Sequence, residues 1–174
     1  MSFSAQLYGS LDALDERFHD RPPGPGGAQA ILDEYLREVE AASDSELLTS
    51  ILLIDETGRH LVHGAAPSLP VDYCAAIDGV EIGPEVGSCG TAAFVGHSIY
   101  VTDIATDPLW TNFRDLALEH GLRACWSTPI FDDRRALLGT FAIYYRTPRA
   151  PHSDEVEAIN SISERVARAV QAHR

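Results

Sequence analysis

No run of apolar residues in this chain approaches the roughly 20 needed to cross a bilayer. The opening stretch, MSFSAQLYGSLDALDERF, carries acids where a signal peptide would carry positive charge. The expectation is a cytoplasmic protein. Positive charge is scarce throughout, with 13 Lys and Arg against 26 Asp and Glu and a formal net charge of -13. Such a surface repels phosphate backbones and anionic lipid, which argues against direct nucleic-acid or membrane-surface binding. Cysteine is nearly absent too: Cys74, Cys89 and Cys125 are odd in number, far apart and never arranged as CxxC. That pattern suits reduced thiols better than a disulfide framework or a structural zinc site. No internal repeat or low-complexity tract occurs.

What is present fits a single domain. The 174 residues, 45% of them hydrophobic, suffice for one core with room for flanking helices. Phe3, Leu7, Leu11, Leu14 and Phe18 recur at helical spacing and form one stripe that must pack on something. Arg21 to Gly27, RPPGPGG, breaks that helix, because proline lacks an amide donor and clustered glycine removes conformational bias. Residues 1–27 therefore read as an N-terminal helix and linker, and residues 28–174 as the domain proper. A second amphipathic helix carries Ile31, Leu32, Tyr35, Leu36 and Val39 on one face, with Asp33, Glu34, Arg37, Glu38 and Glu40 on the other.

Thr49 to Asp55 and Arg59 to Ala65, joined by Glu56, Thr57 and Gly58, predict a β-hairpin. Pro67 to Ala76 reads as a loop with a short helix. Gly87 to Val95 predicts a short helix with exposed first-turn amides, and Ile99 to Thr102 a brief strand. Asp107 before Pro108 is a helix start and Gly121 the matching stop, with Leu109, Phe113, Leu116 and Ala117 inward. Arg123 to Ile130 and Leu137 to Arg146 form a second antiparallel pair. Along the latter, Phe141, Ile143 and Tyr145 point one way, and Thr140, Ala142 and Tyr144 the other. Ser153 caps a last helix with an apolar stripe of Val156, Ile159, Ile162, Val166 and Val170. The order predicts an α/β (α+β) domain with a mostly antiparallel sheet, long terminal helices on one face, and the Gly83 to Gly121 connection as a cap over a cavity on the other.

Four segments in this order carry a family likeness: GSCGTAAF from Gly87, VTDIATDPLW from Val101, LALEHGLRACWSTPI from Leu116 and LLGTFAIYY from Leu137. Over residues 44 to 174 they resemble a bacterial GAF subfamily placed before histidine kinase, PAS or cyclase modules in signal transduction. The resemblance implies a six-stranded antiparallel sheet, a ligand pocket opposite the terminal helices, and homodimers formed through those helices. It implies a signalling output domain or kinase as partner and leaves the cofactor unknown, because GAF domains hold cyclic nucleotides, bilins, haem, small anions or nothing. The NKFDE pattern of cyclic-nucleotide GAF domains and a Cys-His pair of the bilin-attachment kind are not recognisable. The stripes on the first and last helices exceed what one small domain needs, which also points to a dimer.

Candidate ligand-binding residues are Trp110, Phe113, Trp126 and Tyr144 as apolar walls, with Asp103, Ser127, Thr128 and the amides of Gly87 to Thr91 as polar groups. The same aromatics serve equally as core. Helix-start amides make a small anion a candidate ligand beside a small molecule. Asp107 is explained by capping, whereas Asp103 follows a strand and is expected at the cavity rim. Cys89 has two readings. At a helix start it could be a thiolate, and GSCGTAA resembles the GVCGTAA stretch of free methionine-R-sulfoxide reductases. Those enzymes also need a cysteine in an ACD segment upstream of a SEIVVPI strand, whereas Cys125 here lies inside the strand ACWSTPI. A small buried cysteine is therefore the preferred reading, and the expected function is non-enzymatic sensing, with the reductase or a ligand-free dimerisation module as alternatives. His97, His120 and His152 could each serve as a haem axial ligand, but a lone histidine defines no site. The acidic blocks of the helices read as solvated faces.

Overall fold

The computed structural model describes residues 3–19, 27–43 and 46–172. The break predicted at Arg21 to Gly27 lies outside them except for Gly27. The strands are β1 (Leu47–Ile54), β2 (His60–Ala65), β3 (Val80–Glu81), β4 (Ile99–Val101), β5 (Ala124–Phe131) and β6 (Leu137–Tyr145). They form one antiparallel sheet in the order β3-β2-β1-β6-β5-β4, with the two long hairpins side by side at its centre. This is the antiparallel α/β arrangement the sequence predicts, with the six strands that the family resemblance implies; β3 falls outside the strands predicted from the residues.

On one face lie α1 (Phe3–His19), α2 (Gly27–Ala42) and α6 (Ser153–Ala172). Leu7, Leu11, Leu14 and Phe18 of α1 are buried against α2 and α6, in one cluster with Ile31, Leu36, Ile159 and Val166. Arg165 of α6 pairs with Asp12 at 2.9 Å and with Asp15, and Asp15 also accepts from the Tyr35 hydroxyl. The α1 stripe is thus taken up within one chain. Among the described side chains of α1, for that reason, no surplus apolar stripe of the kind that motivated a helical dimer is left over; the Phe3 side chain lies outside them.

The other face is covered by α3 (Val71–Ile77), α4 (Cys89–Val95), a 3₁₀ turn at Pro108–Trp110, and α5 (Arg114–Glu119). Their apolar residues form a second cluster with Leu52, Leu61, Ala142 and Tyr144.

Two local expectations change. The single helix predicted from Asp107 to Gly121 is split, because Thr111 and Asn112 favour a turn. Thr111 N–H and Oγ1–H both donate to Pro108 O, at 3.2 and 2.8 Å, closing the turn before α5 begins. Asp107 still caps it, accepting from Leu109 N–H at 2.9 Å, and Gly121 still ends α5 at φ +76°. Glu40 is not on a solvated face. It is 8% exposed and accepts from Thr49 N–H at 2.9 Å and Thr49 Oγ1–H at 2.8 Å, with Ser68 as a third donor. A buried carboxylate needs such donors to offset its lost hydration.

Candidate functional site

Register decides which strand residues meet the cap, because directly paired residues of an antiparallel sheet share a face and neighbours along a strand alternate. Cys125 pairs with Tyr144, Leu52 with Thr140, and Ser50 and Ser127 flank Ala142 from either side. All of these face the cap. Trp126 pairs with Ile143, and Thr128 with Phe141, so both face the helices.

Two of the predicted site residues are therefore misplaced by the cavity reading. Trp126 belongs to the helical-side core, its ring 4.9 Å from Tyr145 and its Nε1–H donating to Arg149 O at 2.9 Å. The Thr128 hydroxyl bonds that of Ser98 at 2.9 Å, away from the cap. Asp103 is also not at the rim. Its Oδ1 accepts from Ala105 N–H at 3.0 Å and faces the Arg123 guanidinium at 3.3 Å, so it shapes the turn after β4.

Cys89, Trp110, Phe113 and Tyr144 do come together. The GSCG turn puts them there. Gly87 adopts φ +59°, a left-handed conformation that glycine takes without steric cost, and its N–H donates to Leu109 O at 2.8 Å. A Cβ on Gly90 would stand 2.5 Å from Val86 Cγ1, so only glycine lets Val86 lie against α4. Between them Ser88 donates through Oγ–H to Cys125 O at 2.9 Å and accepts from Trp110 Nε1–H at 3.1 Å. One buried hydroxyl thus ties the cap turn, the indole and β5 together.

The resulting hollow is walled by Tyr73, Tyr144, Trp110 and Cys89, with half-buried Val80, Val86 and Phe113 at its mouth. Its free volume is about 30 Å³. A water needs roughly 10 to 15 Å³ of such space, so the hollow holds one or two water-sized species as it stands. Tyr73 and Tyr144 share a hydroxyl–hydroxyl bond of 2.9 Å with rings edge to face at 5.7 Å, and Trp110 meets Tyr144 at 6.5 Å. Burial raises both phenols well above the ordinary tyrosine value. Among the described residues no charged side chain lines the hollow. The expected amide nest is partly used up, because the Gly87 N–H is engaged by Leu109 O.

Tyr73 was not among the residues singled out in the sequence. Its spacing of four from Ile77, both buried in α3, is the signal that would have found it. A wider groove of about 250 Å³ lies on the opposite side, lined by Glu46, Tyr145, Arg149, His152 and Glu155. Its strongest cation is already committed, since Arg149 pairs with Glu155 at 2.8 Å and stacks over the Trp126 and Tyr145 rings.

Known proteins share this architecture. A domain of a two-component sensor histidine kinase protein from Sinorhizobium meliloti superposes with a TM-score of 0.66 at 22% identity, covering 82% of this chain and 90% of that one. The free methionine-R-sulfoxide reductase of Neisseria meningitidis superposes at 0.76 and 16% identity, covering 100% of this chain and 93% of that one. At such identities the likeness is one of fold. In sequence, the methyl sulfide methyltransferase-associated sensor of Methanosarcina acetivorans is 39% identical over 131 residues, which is 75% of this chain but 13% of that protein. No helix among the described residues is long and apolar enough to cross a membrane. The family model of the GAF domain matches residues 27–171, and this chain belongs to the GAF domain family.

Proposed function

We propose that this GAF domain is the receptor element of a signalling protein and that the hollow under its cap takes an uncharged molecule of a few heavy atoms. The observation that carries the reading is the hollow itself, whose polar side-chain groups among the described residues are two tyrosine hydroxyls, a serine hydroxyl, an indole N–H and a thiol. Apolar walls exclude water while such groups orient a ligand. An anion is a poor fit, because no cationic side chain among the described residues lines the walls. A larger ligand enters only if the cap lifts from β5, breaking the bond from Ser88 to the Cys125 carbonyl. The sensor relative supports the role, and the sensor histidine kinase supports a kinase or other output domain as partner.

Signalling would work by population shift, with the ligand binding one cap packing better than another. A contact route to the far face supports this. Cys125 and Tyr144 adjoin Trp126 and Tyr145 in sequence, these two hold Arg149, and Arg149 pairs with Glu155 of α6. A helical homodimer is not needed for this reading, and sedimentation at micromolar concentration measures it separately.

Sulfoxide reduction fits less well, because an amino acid is too large for the hollow and Cys125 lies within β5. The test of the receptor reading is native mass spectrometry of freshly purified protein, with a thermal-unfolding screen of small uncharged compounds. A retained mass or a ligand-raised Tm, lost in Val80→Phe at the mouth, is expected. No retained mass and no Tm shift would favour a ligand-free module.

A further inference from the structure

One wall of the hollow carries chemistry beyond ligand binding. Cys89 and Cys125, 36 positions apart in sequence, lie in one buried cluster under the cap, Cys125 on the strand face turned toward it. Both are buried, and Ser88, next to Cys89, is bonded to the Cys125 carbonyl. Around Cys89 stand the hydroxyls of Ser127 and Thr140, on residues with no solvent exposure and without a well-formed hydrogen bond of their own. Orphan buried hydroxyls are costly. Three of the groups around Cys89 Sγ, namely Ser127, Thr140 and Tyr144, carry O–H protons that a thiolate would accept strongly and a neutral thiol only weakly. The Cys125 thiol, and then these hydroxyls, favour the charged form of Cys89 and hold its thiol below the ordinary value despite burial, while burial and the neighbouring Cys89 push Cys125 up. Placement adds an order of access. Cys89 lines the hollow, and Cys125 does not.

We propose that Cys89 is a peroxide-reactive thiol that Cys125 resolves, making the pair a two-electron oxidation site under the cap. The hollow admits a molecule of hydrogen peroxide size and excludes larger oxidants. The Cys89 thiolate attacks one peroxide oxygen, an S–O bond forms as the O–O bond breaks, and the departing hydroxide leaves as water with the proton the thiol gave up. Cys125 sulfur then attacks the sulfenic sulfur of Cys89. The S–S bond forms, the S–O bond breaks, and the hydroxyl leaves as a second water with the proton of Cys125. In sum, two thiols lose two electrons and two protons, and one peroxide becomes two waters. The disulfide would join the first residue of α4 to β5 and so fasten the cap to the sheet. The inference does not depend on the hollow binding any other ligand.

The test exposes the full chain to hydrogen peroxide at neutral pH, alkylates the remaining thiols after denaturation and maps them by mass spectrometry. The expected result is a Cys89–Cys125 cross-linked peptide, with half-buried Cys74 still free as an internal control. Cys125→Ser should leave a Cys89 sulfenic acid that dimedone traps, and Ser127→Ala with Thr140→Val should slow Cys89 oxidation by roughly tenfold without changing Cys74. Oxidation of Cys74 ahead of Cys89, or of Cys89 to sulfinic acid with Cys125 untouched, would overturn the proposal. The mapping uses the parent protein, so the outcome does not hinge on any variant folding.

Discussion

The two faces of the sheet are built from alternate residues of the same strands, yet they treat their serine and threonine hydroxyls in opposite ways. On the helical face the Thr49 hydroxyl has Glu40, Thr128 has Ser98, and the Trp126 indole has the Arg149 carbonyl. On the cap face Ser50, Ser127 and Thr140 are buried without such partners, beside two thiols and a small hollow. Satisfied polar groups fix a single packing, whereas unsatisfied ones store a cost that a ligand or a change of charge can relieve. The contrast assigns stability to one face and responsiveness to the other.

Trp126→Ala should break the helical face most severely. The expected loss is about 3 to 5 kcal/mol in urea unfolding, as for large aromatic truncations in packed cores. A loss below about 1 kcal/mol would show that this face is not the structural one.

Thr49→Val comes next, at roughly 1 to 3 kcal/mol, because it takes a hydroxyl donor from a buried carboxylate. The tyrosine pair is smaller and sharper. Tyr73→Phe or Tyr144→Phe alone should cost about 0.5 to 1.5 kcal/mol, and the double variant less than the sum, since each single change orphans the other hydroxyl. Because burial raises both phenols, their contribution is complete below about pH 10, the unfolded value, and declines as pH rises beyond it. The double phenylalanine variant should therefore show a shallower alkaline loss of stability; an unchanged slope would contradict the burial of these hydroxyls.

Ser50→Ala, one residue from Thr49 and on the opposite face, should change stability by no more than about 0.5 kcal/mol or even increase it. Equal costs at positions 49 and 50 would erase the difference between the faces.

Most of the element order was readable from periodicity and caps. The alternation along β6 and the role of Asp107 were both legible, since each depends on residues close in sequence. Trp126 was misread because the side it faces depends on how β5 registers against β6, and a shift of one residue reverses every side chain. Once Cys125 lies opposite Tyr144, Trp126 must lie opposite Ile143. The Tyr73–Tyr144 bond and the shared cluster of Cys89 and Cys125 involve residues brought together only by the tertiary fold. Ser50, Ser127 and Thr140 look like ordinary strand residues until their burial is known. Glu40 was misassigned because a helical wheel shows the face a residue occupies, and not the strand that later covers it.

The chain contains two tryptophans, one on each face. Their indole N–H resonances in ¹⁵N NMR, recorded while a small uncharged compound that raises Tm is titrated in, test the claim that the cap face is the responsive one. The Trp110 resonance, whose N–H rests on Ser88, should shift first and most, with Trp126 following weakly or not at all. A shift at Trp126 with Trp110 unmoved would place the response on the helical face and contradict the account.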